Sequence, residues 1–294
     1  MNKGLFRVNN LYTLCSFVRY INPMRSHKEQ SIDNRIMDTL KKQGISDKAR
    51  DAIGLILADE EVQAIQEYAN NVSIVRMGFN DHGPVHMRIV AMNVIIMMNI
   101  LKEAGVKMNL ETEGVGDFED SLIGAVYAAM LHDTGMSVGR HEHELHSAHL
   151  SLPIIDRLLS HAFPGNIHKR IIIRSTALEG IYGHMGSRSV HSLEAGVVQV
   201  ADGCDMTKGM ARISMALSNN PKVGDIHQYS ANSIEEVRLS KGREHPIHID
   251  VLMSSEVGLF QVEEVLLAKI ASSTAKSHIE LYAQVDGREP KRYL

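Results

Sequence analysis

The chain has 294 residues, of which 44% are hydrophobic and 22% charged, enough to bury one large core or two ordinary ones and an argument against global disorder. A formal net charge of −4 at pH 7 gives no reason to expect a nucleic-acid or anionic-membrane partner. The two cysteines, Cys15 and Cys204, make neither a zinc-type pair nor a disulfide framework, which fits a cytoplasmic chain.

The opening MNKGLFRVNNLYTLCSFVRYI lacks the unbroken apolar centre of a secretory signal, because Asn9, Asn10 and Arg19 interrupt it. The expectation over 1–30 is a frayed extension, or a start placed upstream of Met24. From Ser31 to about Asn220 the pattern is helical. DNRIMDTLKKQ, DEEVQAIQEYANNVSIVRM and LPIIDRLLSHA repeat apolar residues every three or four positions. HGPVHMRIVAMNVIIMMNILKEAG starts at Pro84, meets Gly105 near its end, and is apolar all round, as a central helix is. Asn93 and Asn99 break it as a membrane span. A glycine-rich, acidic connector follows, with Asp120 or Ser121 expected to cap a helix ending in LHDTGM. A later helix is expected through VHSLEAGVVQVADGCDMTKGMARIS. After about residue 225 the texture changes: PKVGDIHQYSANS reads as loop, HPIHIDVLMSS as strand, VEEVLLAKIASS as helix and SHIELYAQVDG as strand. The fold class expected is mainly α: a helical domain over 31–225 with a small C-terminal α/β (β-α-β) appendage over 226–294.

Histidine numbers 16 and is spread unevenly. His86, His132, Asp133 and Asp202 all stand where a helix is otherwise apolar. Buried singly, each would be a satisfied core group; together they form the nitrogen and oxygen donor set that divalent metals favour. His132 and Asp133 point about 100° apart on a regular helix, so they can share an ion only at a helix end, which Gly135 allows. Asp205 is the weaker alternative to Asp202, or a partner that orients a ligand imidazole. P-loop, GxGxxG, HExxH and GxSxG motifs are absent, and HEHELH has the wrong spacing for a zincin.

In that order, His86 in HMRIV, His132 and Asp133 in LHDTG, and Asp202 in VADGCD resemble the HD superfamily of metal-dependent phosphohydrolases, over roughly residues 75–220. NDHGPVHMRIV, EAGVVQVADGCDMTKGMARI and GLFQVEEVLLAKI resemble, more narrowly, an uncharacterised archaeal and bacterial subgroup with a C-terminal α/β tail. The resemblance implies an all-helical HD-type domain whose helices each deliver a ligand. It implies one or two divalent ions per chain (Mn, Fe, Co, Ni, Zn or Mg) and hydrolysis of a phosphate mono- or diester, of nucleotide type, by a metal-activated water.

Many relatives hold a second ion through histidines between the HD pair and the last Asp. The candidates are His141, His143, His146, His149 and His184. RHEHELHS resembles the family variant R-x-x-H-E-x-x-S, which favours His143, with His146 next. Asp133, having two carboxylate oxygens, could bridge two ions. His82 is a loop histidine at the cleft mouth or a proton donor to a leaving group. Lys208, Arg212 and Arg140 are candidates for the substrate phosphate, against the plain reading of solvated surface cations; Arg88 reads as a structural ion pair. The expected partner is a small phosphate ester, with no nucleic acid and no membrane. The tail is open to homodimerisation, ligand sensing or simple packing. The rival readings are a metal- and nucleotide-binding sensor without turnover, an HD-fold di-iron oxygenase, and a structural interaction protein with no metal.

Overall fold

The structure is a computed structural model that describes residues 25–207 and 226–294. The extension expected over 1–30 therefore lies outside the described residues as far as 24, as do Lys208 and Arg212. Helix α1 (His27–Lys42) already begins within it, on a Ser26–Glu29 capping box. Helices α2 (Asp47–Ala58) and α3 (Glu60–Asn71) start where the Ser46 and Asp59 side chains accept an otherwise unpartnered backbone N–H.

Helix α4 (Pro84–Glu103) starts on Pro84 and is buried on nearly every side. Over its most apolar window the mean hydropathy is 1.5, the length and composition of a membrane span, yet 72% of that window is buried inside the protein. Asn93 and Asn99 do not break it: the Asn93 amide donates to the Ala201 carbonyl and Asn99 to Glu103. Two residues beyond His86, the buried Arg88 guanidinium donates to Asp33, Gln66, Gln63 and the carbonyls of Pro84 and Leu57. That fixes the first turn of α4 against α1, α2 and α3.

Helix α5 (Phe118–Leu131) is wholly apolar after its first turn and packs on α4 and α2. Its cap is Asp117, not Asp120 or Ser121: Asp117 accepts from the Asp120 N–H while Asp120 accepts from that of Asp117. Helix α6 (His143–Ala162) carries Pro153 inside it and starts well before the LPIIDRLLSHA segment. Helix α7 (Ile167–Gly183) packs on α5 and α6, and α8 (Leu193–Gly203) packs on α7, α4 and α5.

The C-terminal region differs from the two-strand expectation. Residues 226–233, read as loop, form α9 (Ile226–Ser233), and a four-stranded sheet follows in the order β1 (Ile234–Lys241), β2 (Ile247–Met253), β3 (Ile279–Val285), β4 (Lys291–Arg292). The predicted pair, β2 and β3, is parallel from Ile247↔Ile279 to Met253↔Val285; a π-helical stretch Gln261–Leu266 running into α10 (Leu267–Ser272) connects them. β1 and β4 each pair antiparallel on the outside. One apolar core runs from Ile32 in α1 to Ala283 in β3, so the sheet and the helices share an interior.

Candidate metal centre

The ends of helices supply the polar groups. His86 sits in the first turn of α4. α5 stops at Leu131, leaving His132 at its C-cap and Asp133 in a non-helical conformation (φ −103°, ψ 6°), which turns both side chains the same way. The last carbonyls of α5 are satisfied by Gln66, on Met130, and by the Thr134 hydroxyl, on Leu131. The 3-10 turn Thr134–Ser137 then lies directly against the start of α6. A Cβ on Gly135 would stand 2.0 Å from the His143 carbonyl oxygen, so only glycine lets α6 come this close. α6 opens after Glu142, a non-glycine residue at φ 52° whose carboxylate pairs with Arg188. His184 occupies the C-cap of α7, and Asp202 the last turn of α8.

Two nests of donor atoms result, joined by Asp133. His86 Nε2 lies 3.2 Å from His132 Nε2, 3.5 Å from Asp133 Oδ2 and 3.2 Å from Asp202 Oδ1. His132 Nε2 lies 3.3 Å from Asp133 Oδ2 and 3.5 Å from Asp202 Oδ1. The other carboxylate oxygen, Asp133 Oδ1, is 3.1 Å from His143 Nε2 and 3.4 Å from His184 Nε2, and those two nitrogens are 3.1 Å apart. Donors held about 2.0–2.2 Å from one ion are about 3.0–3.6 Å from each other, which is the spacing found in both nests.

The proton positions test that fit. Nδ1 of His132, His143 and His184 faces the carbonyls of Ala129, Arg140 and Ile181 at 2.8, 3.0 and 2.7 Å. A carbonyl only accepts, so Nδ1 holds the proton and Nε2 of the neutral ring presents a lone pair. His86 Nδ1 is committed likewise, to Asp205 Oδ2 at 2.8 Å. Two pairs of lone pairs therefore face each other at 3.1–3.2 Å, a repulsive arrangement unless a cation or a proton lies between them.

Without a metal, a proton takes that place between His86 and His132. Burial by itself would depress His86, but hydrogen bonds to Asp133, Asp202 and Asp205 outweigh it and hold the ring well above its usual value. His132 is pushed to about 9, the charges of Asp133 and Asp202 overcoming burial. Burial likewise opposes ionisation of Asp133 and Asp202, yet both sit well below the usual carboxylate range, Asp133 through His132 and His82, Asp202 through Lys269 and His132. Burial and the nearby charge of His132 bring His184 down to about 4 despite Asp133, so this ring is neutral at pH 7. Buried His and Asp groups that can hold a divalent metal are therefore present.

His82 joins the rim of the first nest, its Nδ1 2.9 Å from Asp133 Oδ2. His146, three positions beyond His143 on α6, is half-buried and takes no part in either nest; the residue facing the Asp133 turn is Ser147, which accepts the Gly135 N–H. His141 and His149 are exposed. Arg140 places its guanidinium over the Phe79 ring, 5.6 Å from its centroid, and meets the cluster through its carbonyl, which faces His143 Nδ1. One residue escaped the sequence reading altogether. Lys269, on α10, pairs with Asp202 Oδ2 and is 9% exposed. A lysine set among Leu266, Leu267 and Ile270 is the signal that could have found it, since lysines are almost never buried unless paired.

The HD domain family matches residues 90–207. An uncharacterised protein of Methanocaldococcus jannaschii is 40% identical over 235 residues, spanning 80% of this chain and 88% of that protein. No solved structure matches the chain. The matched family stretch holds His132, Asp133, His143, His184 and Asp202, while His86 lies four residues before it. With its helical frame and its order of H, HD and D, the chain belongs to the HD-domain family, whose fold is that of metal-dependent hydrolases.

Proposed function

We propose that the protein is a metal-dependent phosphohydrolase that cleaves a phosphate mono- or diester, of nucleotide type, at a dinuclear centre. The observation that carries this reading is Asp133, whose two carboxylate oxygens face two separate imidazole pairs. His86, His132, Asp133 and Asp202 would hold one ion, and Asp133, His143 and His184 the other. Bound there, divalent ions neutralise phosphoryl charge and bring the pKa of water from 15.7 towards about 7.

The chain's own groups do the rest. Asp133 spaces the two halves of the centre, and the fixed Nδ1 protons keep every Nε2 turned inward. His82, at the rim on the same carboxylate, is placed to pass a proton to a leaving group or receive one. Lys208 and Arg212, spaced i, i+4 after Asp202, are proposed for the remaining phosphate charge. The partner is a small phosphate ester, in the cytoplasm, with no nucleic acid or membrane and with a homodimer as the candidate assembly. One observation favours a sensor without turnover: the Arg140 guanidinium is directed to Phe79 and not to the cluster.

The test is metal analysis of the purified protein together with a phosphatase and phosphodiesterase panel under Mn, Co, Ni and Mg. Stoichiometric metal and ester hydrolysis, both lost in His132→Ala, are expected. Bound metal with no turnover across nucleotides and simple esters would leave the sensor standing, and no bound metal would end both readings.

A further inference from the structure

The C-terminal region reaches the metal centre through a built seam. Ser192, Gly196, Gln199 and Gly203 recur at i, i+4, i+7 and i+11 and so share one face of α8. Each meets the segment around α10. The Thr274 hydroxyl donates to the Ser192 carbonyl at 2.7 Å and that of Ser273 to the Gly196 carbonyl at 2.9 Å, while the Gln199 amide donates to Ser272 at 2.6 Å. A Cβ at Gly196 would stand 2.0 Å from Thr274 Oγ1, and one at Gly203 would stand 3.2 Å from both Leu266 Cδ1 and Lys269 Cδ. These two glycines let α10 lie flush on α8, and the side chain delivered at the far end of the seam is Lys269. Its ammonium meets Asp202 Oδ2, while Asp202 Oδ1 faces His86 and His132. The two side chains are only 11% and 10% exposed, so the pair is one a protein keeps only when each charge has the other.

We infer that the C-terminal unit is a working part of the metal centre and that Lys269 is the positioning residue through which it acts. By occupying Oδ2 of Asp202, the ammonium would leave a single oxygen to the ion proposed in the first nest and hold that oxygen towards His86 and His132. This rests on the metal reading of the cluster and adds to it a role for a residue outside the helical domain. Phosphate binding by Lys269 is a different role, and the test separates the two.

The experiment loads full-length protein with Co²⁺ as the probe, and records the visible absorption of the bound ion and the dissociation constants. The wild type, Lys269→Met and Lys269→Arg are compared. In Lys269→Met, freed Oδ2 raises the coordination number of one ion, so the cobalt absorption weakens and changes shape. The dissociation constant for that ion also departs from the wild-type value by about 10- to 100-fold, the scale seen for other outer partners of metal ligands. Lys269→Arg, which keeps the charge, restores the wild-type spectrum. If Lys269→Met unfolds by circular dichroism, Gly203→Ala takes its place: it preserves every charge but pushes on Lys269, and the same spectral change is expected. A wild-type spectrum and affinity in Lys269→Met overturn the positioning role while the metal reading stands, even if turnover drops through substrate binding. Failure of the wild type to take up Co²⁺ overturns the metal reading, and this inference with it.

Discussion

Asp133 and His132 are adjacent in sequence, yet the fold treats them as parts of one electrostatic unit whose net charge depends on what occupies it. His132 titrates near 9 in the folded, metal-free protein against an ordinary 6.5. Its protonation therefore stabilises the fold fully below about pH 6.5, and that contribution is lost as pH rises through about 9, to the extent of a few kcal/mol. The depressed Asp133 and Asp202 work in the opposite sense: their contribution is present above their ordinary value of 3.8 and lost as pH falls below it. Chelator-treated protein should thus melt at steadily lower temperature between pH 6.5 and 9, while metal-loaded protein holds its melting temperature. A flat profile for the chelated form would mean that protons do not stand in for the ion. The H, HD and D residues were legible because each interrupts an apolar helix, which is costly unless something compensates. The preference for His143 over His146 came from the family resemblance of RHEHELHS and not from spacing, since three-residue spacing puts both on neighbouring parts of one face. Lys269 was hidden by its chemistry, because a lysine in an amphipathic helix normally reads as solvated.

At the scale of elements, junctions matter more than the helices themselves. Gly135 is where the end of α5 passes under the start of α6, and its hydrogen faces the backbone of His143 and Ser147. In Gly135→Ala the new methyl group meets main-chain atoms, which cannot swing aside. A loss of about 1–3 kcal/mol or more is expected, along with loss of the ion proposed for His143 and His184. Urea unfolding and metal analysis on the same sample check it: a fully stable variant with both ions bound would contradict the close approach. Helix existence was easy to read and helix limits were not. In GDFED several acids compete for the cap of α5, and Asp117 wins because it leaves Asp120 free to answer it. The strand IEEVRLSK escaped notice because β1 is an outer strand with most side chains exposed, so it lacks the alternation that marked β2. α9, in HQYSANS, shows too little apolar periodicity to announce itself.

For the molecule as a whole, the continuous core from Ile32 to Ala283 packs the sheet and the helices around one interior. Far-UV circular dichroism and release of bound metal should consequently report one coincident thermal transition. Melting of the sheet at a clearly lower temperature, with the metal retained, would show that the seam between α8 and α10 carries little energy. The composition of the cage has a further consequence. Four imidazole nitrogens outnumber the two carboxylates, and the donors stand only 3.1–3.5 Å apart before any ion arrives. Calcium seeks about six to eight oxygens at roughly 2.3–2.6 Å. It finds here too few oxygens and too narrow a space, so in protein loaded with zinc or nickel even a large excess of calcium should leave the bound ion undisturbed.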